Sequence, residues 1–236
     1  MQGPAVLAAC AALVGCTGVT YEWDDRHVLC SQVIDDISNH TPWTMVENGM
    51  TEAEVHHSVL LLHAHAPGVT ITTDAIEHVL EMAEAHRLAF LTFRELQAGA
   101  MPRAGLALAF DVNAVDAWFS VRDRLAAHHA HVTFFVTRWY SRSDAERAEI
   151  SMLAADGHDV EPHSVNHLHA PAYVHDHGLD AYLADEVQPS IDALTQAGYP
   201  TADTFAFPFG DTTDEITEAV LRIVPRVRVS MSGCPE

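Results

Sequence analysis

The chain has 236 residues, with twelve arginine-or-lysine positions, 33 acidic groups and a formal charge of −21 at neutral pH. All twelve cations are arginine, so no basic stripe is available to track a phosphate backbone; nucleic acid is excluded as a partner class, and a neutral or cationic substrate is expected. The length suits one domain with a full core, and no low-complexity linker or short-period repeat divides it.

Residues 1 to 15 are apolar and rich in small residues, and Leu13-Val14-Gly15-Cys16 fits a lipoprotein cleavage box in which Cys16 becomes the lipidated first residue. The expectation is a leader over 1–16, a mature domain over 17–236, export to the cell envelope, and membrane attachment only through that lipid. No basic residue precedes the apolar run; the alternative, a buried first helix, sits poorly with Gly3, Pro4 and Gly15. The run is too short to span a bilayer. Beyond Cys10 and Cys16, an oxidising compartment allows Cys30 and Cys234 to pair, although sequence alone does not bring them within reach.

Strand and helix signals then alternate. A strand over 28–34 leads to Asp35-Asp36; a loop holds Pro42 and Trp43, and a helix is expected over 51–57. Val59 to His63 reads as a fully buried strand. Thr73 or Asp74 is expected to cap a helix with Ile76, Val79, Leu80 and Ala83 on one face, followed by a short strand over 88–93. A looser segment, 97–105, precedes the apolar run Leu106 to Asp111. Val115, Trp118, Phe119 and Leu125 stripe the next helix, and His131 to Val136 is the next strand. Ser143 and Glu146 form a capping box opening a helix that Gly157 closes. A short strand behind Gly157 leads to Glu161-Pro162-His163-Ser164-Val165-Asn166-His167. One long helix is expected from Leu179 to Leu194, Thr212 and Glu215 form another box, and Val227 to Ser230 is a last strand. About eight strands alternating with helices imply parallel pairing with right-handed crossovers, and reactive residues at several strand ends favour a barrel over an open sheet.

Three of those ends carry chemistry. Asp111 closes Ala109-Phe110-Asp111-Val112; His163 and His167 stand four apart, a spacing that lets two imidazoles face one ion; Pro208-Phe209-Gly210 ends a third strand in a turn. Together they resemble the polysaccharide deacetylase family, in which one strand ends T-F-D-D, a later loop reads H-[ST]-x-x-H and another strand ends P-[YF]-G. The resemblance covers about 120 residues. It departs at Val112, where the family has its second, metal-binding aspartate. The family's final section, a strand ending I-x-L-L-H with a helix and a short F-V-T-L-like strand, is matched by Val59 to His63, Asp74 to His86, and Ala89 to Thr92, but here it comes first. The chain therefore looks circularly permuted, a distorted parallel α/β barrel of the deacetylase type with its final section at 17–96 and the other three motifs at 105–230.

The resemblance implies a metal-dependent hydrolase that removes acetyl groups from N-acetylated sugars of an envelope or extracellular polysaccharide. It places a divalent metal, zinc foremost, on His163 and His167. It makes Asp111 the base, the Phe209 N–H an oxyanion donor, and His63 the acid for the departing amine, with His65 the competitor because alternate residues of a strand share a face. Asn113 or Asp111 is open as third ligand. Asp35 or Asp36 and Trp43 loosely match an aspartate/tryptophan segment of the family. Near the turn the family often has an arginine that orients the base; Ala206 stands in that place, leaving the base to be set by other groups. Each residue also has an ordinary reading: Asp111 as cap of a helix near Ala114, His63 as a hydrogen-bonded strand-end histidine, the imidazole pair as solvated, Trp118 as core and Trp139 as core or sugar groove. Two other functions stay open, an inactive carbohydrate-binding relative and a His-rich metal-handling protein of the envelope.

Overall fold

The computed structural model describes residues 19–36, 41–97, 100–231 and 234; the leader and Cys16 lie outside them. The strands are β1 (Thr20–Tyr21), β2 (Val28–Val33), β3 (Val59–Ala64), β4 (Ala89–Phe90), β5 (Gly105–Val112), β6 (Thr133–Val136), β7 (Asp159–Pro162), β8 (Thr204–Ala206) and β9 (Arg226–Ser230). They form one sheet in the order β7-β6-β5-β3-β2-β9-β8, with β4 added to β5 and β1 to β3. All pairings are parallel except that of β1 with β3. The sheet curls until β7 and β8 approach, and helices surround it: a nearly closed, distorted (β/α) barrel. No helix among the described residues is long and apolar enough to cross a membrane.

Side-chain alternation sorts each strand into two layers. Leu29, Val59, Leu61, Ala107, Ala109, Phe135 and Ala206 meet inside the barrel. Their neighbours Leu60, Leu62, Leu106, Leu108, Phe110 and Phe134 face outward under helices α1 (Trp43–His56) and α2 (Thr73–Ala85) and those of the 115–155 segment. On the far side Cys30, Phe205, Phe207, Val227 and Val229 do the same. Each fully buried apolar side chain contributes roughly 1.5–3 kcal/mol, so both faces of the central strands hold them in place. A polar group shares the interior with this cluster: the Glu161 carboxyl, fully buried and the register partner of Phe135, accepts from the Asp203 N–H at 3.0 Å and from Arg94 at 2.5 Å. Burial and the neighbouring Asp159 push the Glu161 carboxyl well above its usual range. Cys30 and Cys234 form a disulfide, with Cα atoms 5.8 Å apart.

Several elements differ from their sequence reading. Helix α1 begins at Trp43 because Pro42, at φ −65°, already has the backbone of a helix entry, and Val46, Met50 and Ala53 give it a buried face. Trp43 thus belongs to a helix and packs edge-on to His78 of α2, with ring centroids 4.9 Å apart. The cap of α2 is Thr72, one residue before the expected pair, and the cap of the last helix is Thr213. The helix after β5 splits into α3 (Val115–Ser120) and α4 (Arg122–Ala127), with Ser120 Oγ bonded to the Ala117 carbonyl at the break. The long helix after Leu179 contains a π turn, Leu183–Val187, because Pro189 has no N–H for the Asp185 carbonyl. The capping box at Ser143 and Glu146 is present in full.

Candidate active site

Alternation aims one set of side chains at the carboxyl end of the barrel interior: Ser31 from β2, His63 from β3 with His65 just beyond it, Asp111 from β5, His163 beyond β7 and Arg228 from β9. Asp111 is 2% exposed and is ion-paired with Arg228, itself 1% exposed, so it does not cap the following helix. Burial opposes its ionisation; Arg228, with His163, His63 and His65 beyond, overrides that and holds the carboxyl well below the usual range. One oxygen is bound by Arg228, while Oδ1 is buried with no hydrogen-bond partner among the described residues.

The H-S-x-x-H loop is bent to order. Ser164 and His167 adopt φ of 63° and 61°, and the Ser164 hydroxyl accepts the His167 N–H at 3.0 Å, turning the chain back within four residues. Thr137 Oγ1 donates to the Ser164 carbonyl, and Glu186, buried on the π turn, takes Asn166 through its N–H at 2.8 Å and its side-chain amide at 2.6 Å. The two imidazoles end with centroids 4.9 Å apart. His163 Nδ1 lies 2.9 Å from the Ala206 carbonyl, which can only accept, so Nδ1 carries the proton and Nε2 presents a lone pair. Burial pushes His163 down to about 3, and His167 is lowered by the same cause.

The two histidines at the end of β3, His63 within it and His65 just past it, are not equivalent. His63 is 4% exposed, its Nδ1 is 2.9 Å from Ser31 Oγ, and burial with the Arg228 charge pushes it down to about 3. His65 is part-exposed and hydrogen-bonded through Nδ1 to Asp35, whose carboxylate also accepts the His65 N–H at 3.2 Å and the Thr70 hydroxyl at 2.6 Å. Burial lowers His65, but the bond to Asp35 and the field of Asp111 lift it above its ordinary value. Trp118, buried as expected, fixes this strand end by donating to the His65 carbonyl at 2.8 Å.

Phe209 has φ 61°, and its ring stands at the mouth, stacked 3.7 Å from His169 and edge-on to His167 at 4.6 Å. Gly210 allows this turn to touch β9: a Cβ there would lie 2.3 Å from the Ser230 nitrogen. Other candidates fall elsewhere. Asp36 accepts the Thr72 N–H at the start of α2, Trp43 packs on α2, and Asn113 is exposed past the end of β5. Trp139 packs edge-on to Tyr199 under Arg147. Sequence reasoning missed Arg228, Ser31 and Glu186.

The family resemblance calls for a metal, and the donor set fits it in part. Two imidazoles face each other with one tautomer fixed, but Val112 has no donor atom, and no group of three His, Cys, Asp or Glu among the described residues is disposed to hold an ion.

Solved structures share the fold. IcaB from Ammonifex degensii aligns at a TM-score of 0.56 and 18% identity, covering 71% of this chain and 82% of its own. A de-N-acetylase from Aggregatibacter actinomycetemcomitans aligns at 0.57 and 12% identity, covering 87% and 85%. A polysaccharide deacetylase from Bacillus cereus aligns at 0.54 and 13%, covering 86% and 58%. No curated protein matches the chain. Residues 98–223, more than half of the sequence and the span that carries Asp111, His163, His167 and Phe209, match the family model described as polysaccharide deacetylase, and the chain belongs to that family.

Proposed function

We propose that the chain is a hydrolase that removes acetyl groups from N-acetylated sugars of an envelope or extracellular polysaccharide, with a divalent ion, zinc foremost, held by His163 and His167. The observation that carries this reading is the buried, ionised Asp111, facing both that imidazole pair and the His65–Asp35 pair. The ion supplies polarisation of the amide carbonyl when bound. Asp111 takes the proton of the attacking water at Oδ1, and the Phe209 N–H faces the oxyanion. The acid that gives its proton to the departing amine nitrogen as the C–N bond breaks is His65 rather than His63: Asp35 supports a cationic His65, whereas burial and Arg228 disfavour a cationic His63. Accordingly, His65→Ala is expected to lower kcat by about 10²- to 10⁴-fold. It should also remove the alkaline limb of the pH–rate profile, because an acid with a raised pKa loses its proton, and the rate falls, as pH climbs past that value. His63→Gln should keep the limb; the reverse pattern would return the role to His63.

Acetate release from N-acetylglucosamine oligomers, measured during zinc titration, tests the whole reading. Val112→Asp adds the carboxylate that the pair lacks. Val112 sits at φ 74°, a left-handed conformation costly for a β-branched side chain and tolerated by aspartate. The variant is expected to bind zinc more than about tenfold tighter without loss of stability, by analogy with other supports of a metal ligand set. A folded wild type that releases no acetate at any zinc level sinks the enzyme reading and leaves the carbohydrate-binding one. That second reading is favoured by Val112 and by the exposed stacked rings of Phe209 and His169 at the mouth.

The permuted chain order is part of the same proposal, supported by β3 lying in parallel register between β2 and β5. A gene in which residue 231 is linked to residue 19 and new ends open within 97–105 should give a protein with the same circular dichroism and zinc titration; an unfolded product counts against it. Export with a lipid on Cys16 rests on the cleavage box, and the Cys30–Cys234 disulfide suits an oxidising compartment. Mass spectrometry of the mature protein checks it, an intact Met1 being the adverse result.

A further inference from the structure

We propose that Arg228 is the positioning residue for Asp111, and that positions 206 and 228 are interchangeable seats for its guanidinium. This rests on the deacetylase reading for its kinetic part only.

The geometry has four components. Arg228 and Asp111 are 1% and 2% exposed, so their ion pair is shielded from water and salt. The guanidinium engages Oδ2 alone and leaves Oδ1 buried without a hydrogen-bond partner among the described residues. The cation in turn lies over the Phe135 ring, 5.0 Å from its centroid. Finally, Arg228 is the register partner of Ala206 across the parallel β8–β9 pair. Register partners project to the same face, and Ala206 is fully buried in the barrel interior, beside the space the Arg228 side chain fills. An arginine grown from position 206 would enter that space from one strand away, about 4.8 Å to the side, well within the reach of its stem.

A structural role alone and a positioning role make different forecasts. If Arg228 only neutralises a buried charge, any variant that restores folding restores activity. If it aims the carboxyl, activity needs a planar cation at Oδ2, whichever strand supplies it.

The test uses the full chain with Arg228→Met, Arg228→Lys, Arg228→Ala and the exchange Ala206→Arg/Arg228→Ala. Each is measured for urea midpoint and for kcat and KM of acetate release from N-acetylglucosamine oligomers. Arg228→Met is expected to lose about 10²-fold in kcat, the cost of a misplaced reacting group, with KM within about twofold. Lysine should recover little. The exchange should recover at least about tenfold over Arg228→Ala in kcat, and should raise the urea midpoint only while Asp111 is present, the gain vanishing with Asp111→Asn. An exchange variant as stable as Arg228→Lys yet no more active than Arg228→Ala overturns the proposal, as does near-wild-type kcat in Arg228→Met. A wild type without acetate release instead defeats the deacetylase reading; the midpoint comparison with and without Asp111 then still decides whether position 206 can seat the cation, and its absence overturns the interchange.

Discussion

Asp111→Asn is expected to lower acetate release by about 10²- to 10⁴-fold, the range for loss of a general base, and to cost about 3–5 kcal/mol of folding stability. The two losses have different origins. The first comes from removing the proposed base, a buried carboxylate oxygen with no hydrogen-bond partner among the described residues. The second comes from leaving Arg228 charged and buried with no counter-ion. Combining Asp111→Asn with Arg228→Met removes the orphaned cation, so urea unfolding should show most of the stability returning while acetate release stays low. If the double variant regains neither, the stability loss lies in packing around Phe135 rather than in the charge. Should Asp111→Asn retain near-wild-type turnover, the base is another group.

The second large effect concerns acid. His63 and His163 are buried neutral with folded pKa values of about 3, against 6.5 for an ordinary histidine. A depressed folded pKa means that the unfolded chain binds more protons between those values, so the stability present above pH 6.5 is lost progressively as pH falls toward 3. Each such histidine is responsible for a loss on the order of 3–5 kcal/mol over that window. Groups acting the other way are His86 and His128, raised by their carboxylate partners but close to solvent and screened, and Glu161, which burial lifts. Comparing metal-free wild type with His63→Gln isolates the term: glutamine has no proton to gain, so the variant's stability should fall less steeply below pH 6.5. Parallel curves would mean that His63 is solvated on the acid side.

Much of the barrel was legible because its strands are short apolar runs between turn residues, and the site motifs end those runs. Asp111, His163 and His167 are singled out by the ordered set of three motifs and the family resemblance it carries, not by any one strand end. Arg228 is not. It lies in a strand that the sequence does mark, yet nothing local says that position 228 is registered with Ala206 or that its side chain enters the barrel rather than facing a helix. Non-local pairing decides that. Ser31 was hidden for the same reason, and Glu186 because a π turn, not helical periodicity, aims it at Asn166. That Asp35 bonds His65 and not His63 was equally hidden, because its reach depends on how β2 and β3 are registered. The start of α1 was missed because Pro42 read as a breaker when it stands at a helix entrance.

The edge where β7 meets β8 has a mechanical consequence. Among the described residues no backbone ladder joins these strands, and the links across the gap are side chains: Glu161 to the Asp203 N–H near the base and His163 to the Ala206 carbonyl near the rim. The upper rivet is thus one of the two imidazoles proposed to hold the ion. A ligand drawing electron density from His163 Nε2 makes Nδ1–H a stronger donor and tightens its grip on Ala206. Under the proposed function, occupancy of that site and closure of the cylinder would be one linked equilibrium, in which filling the site slows the parting of β7 from β8, and springing that joint loosens the ring that would hold the ligand.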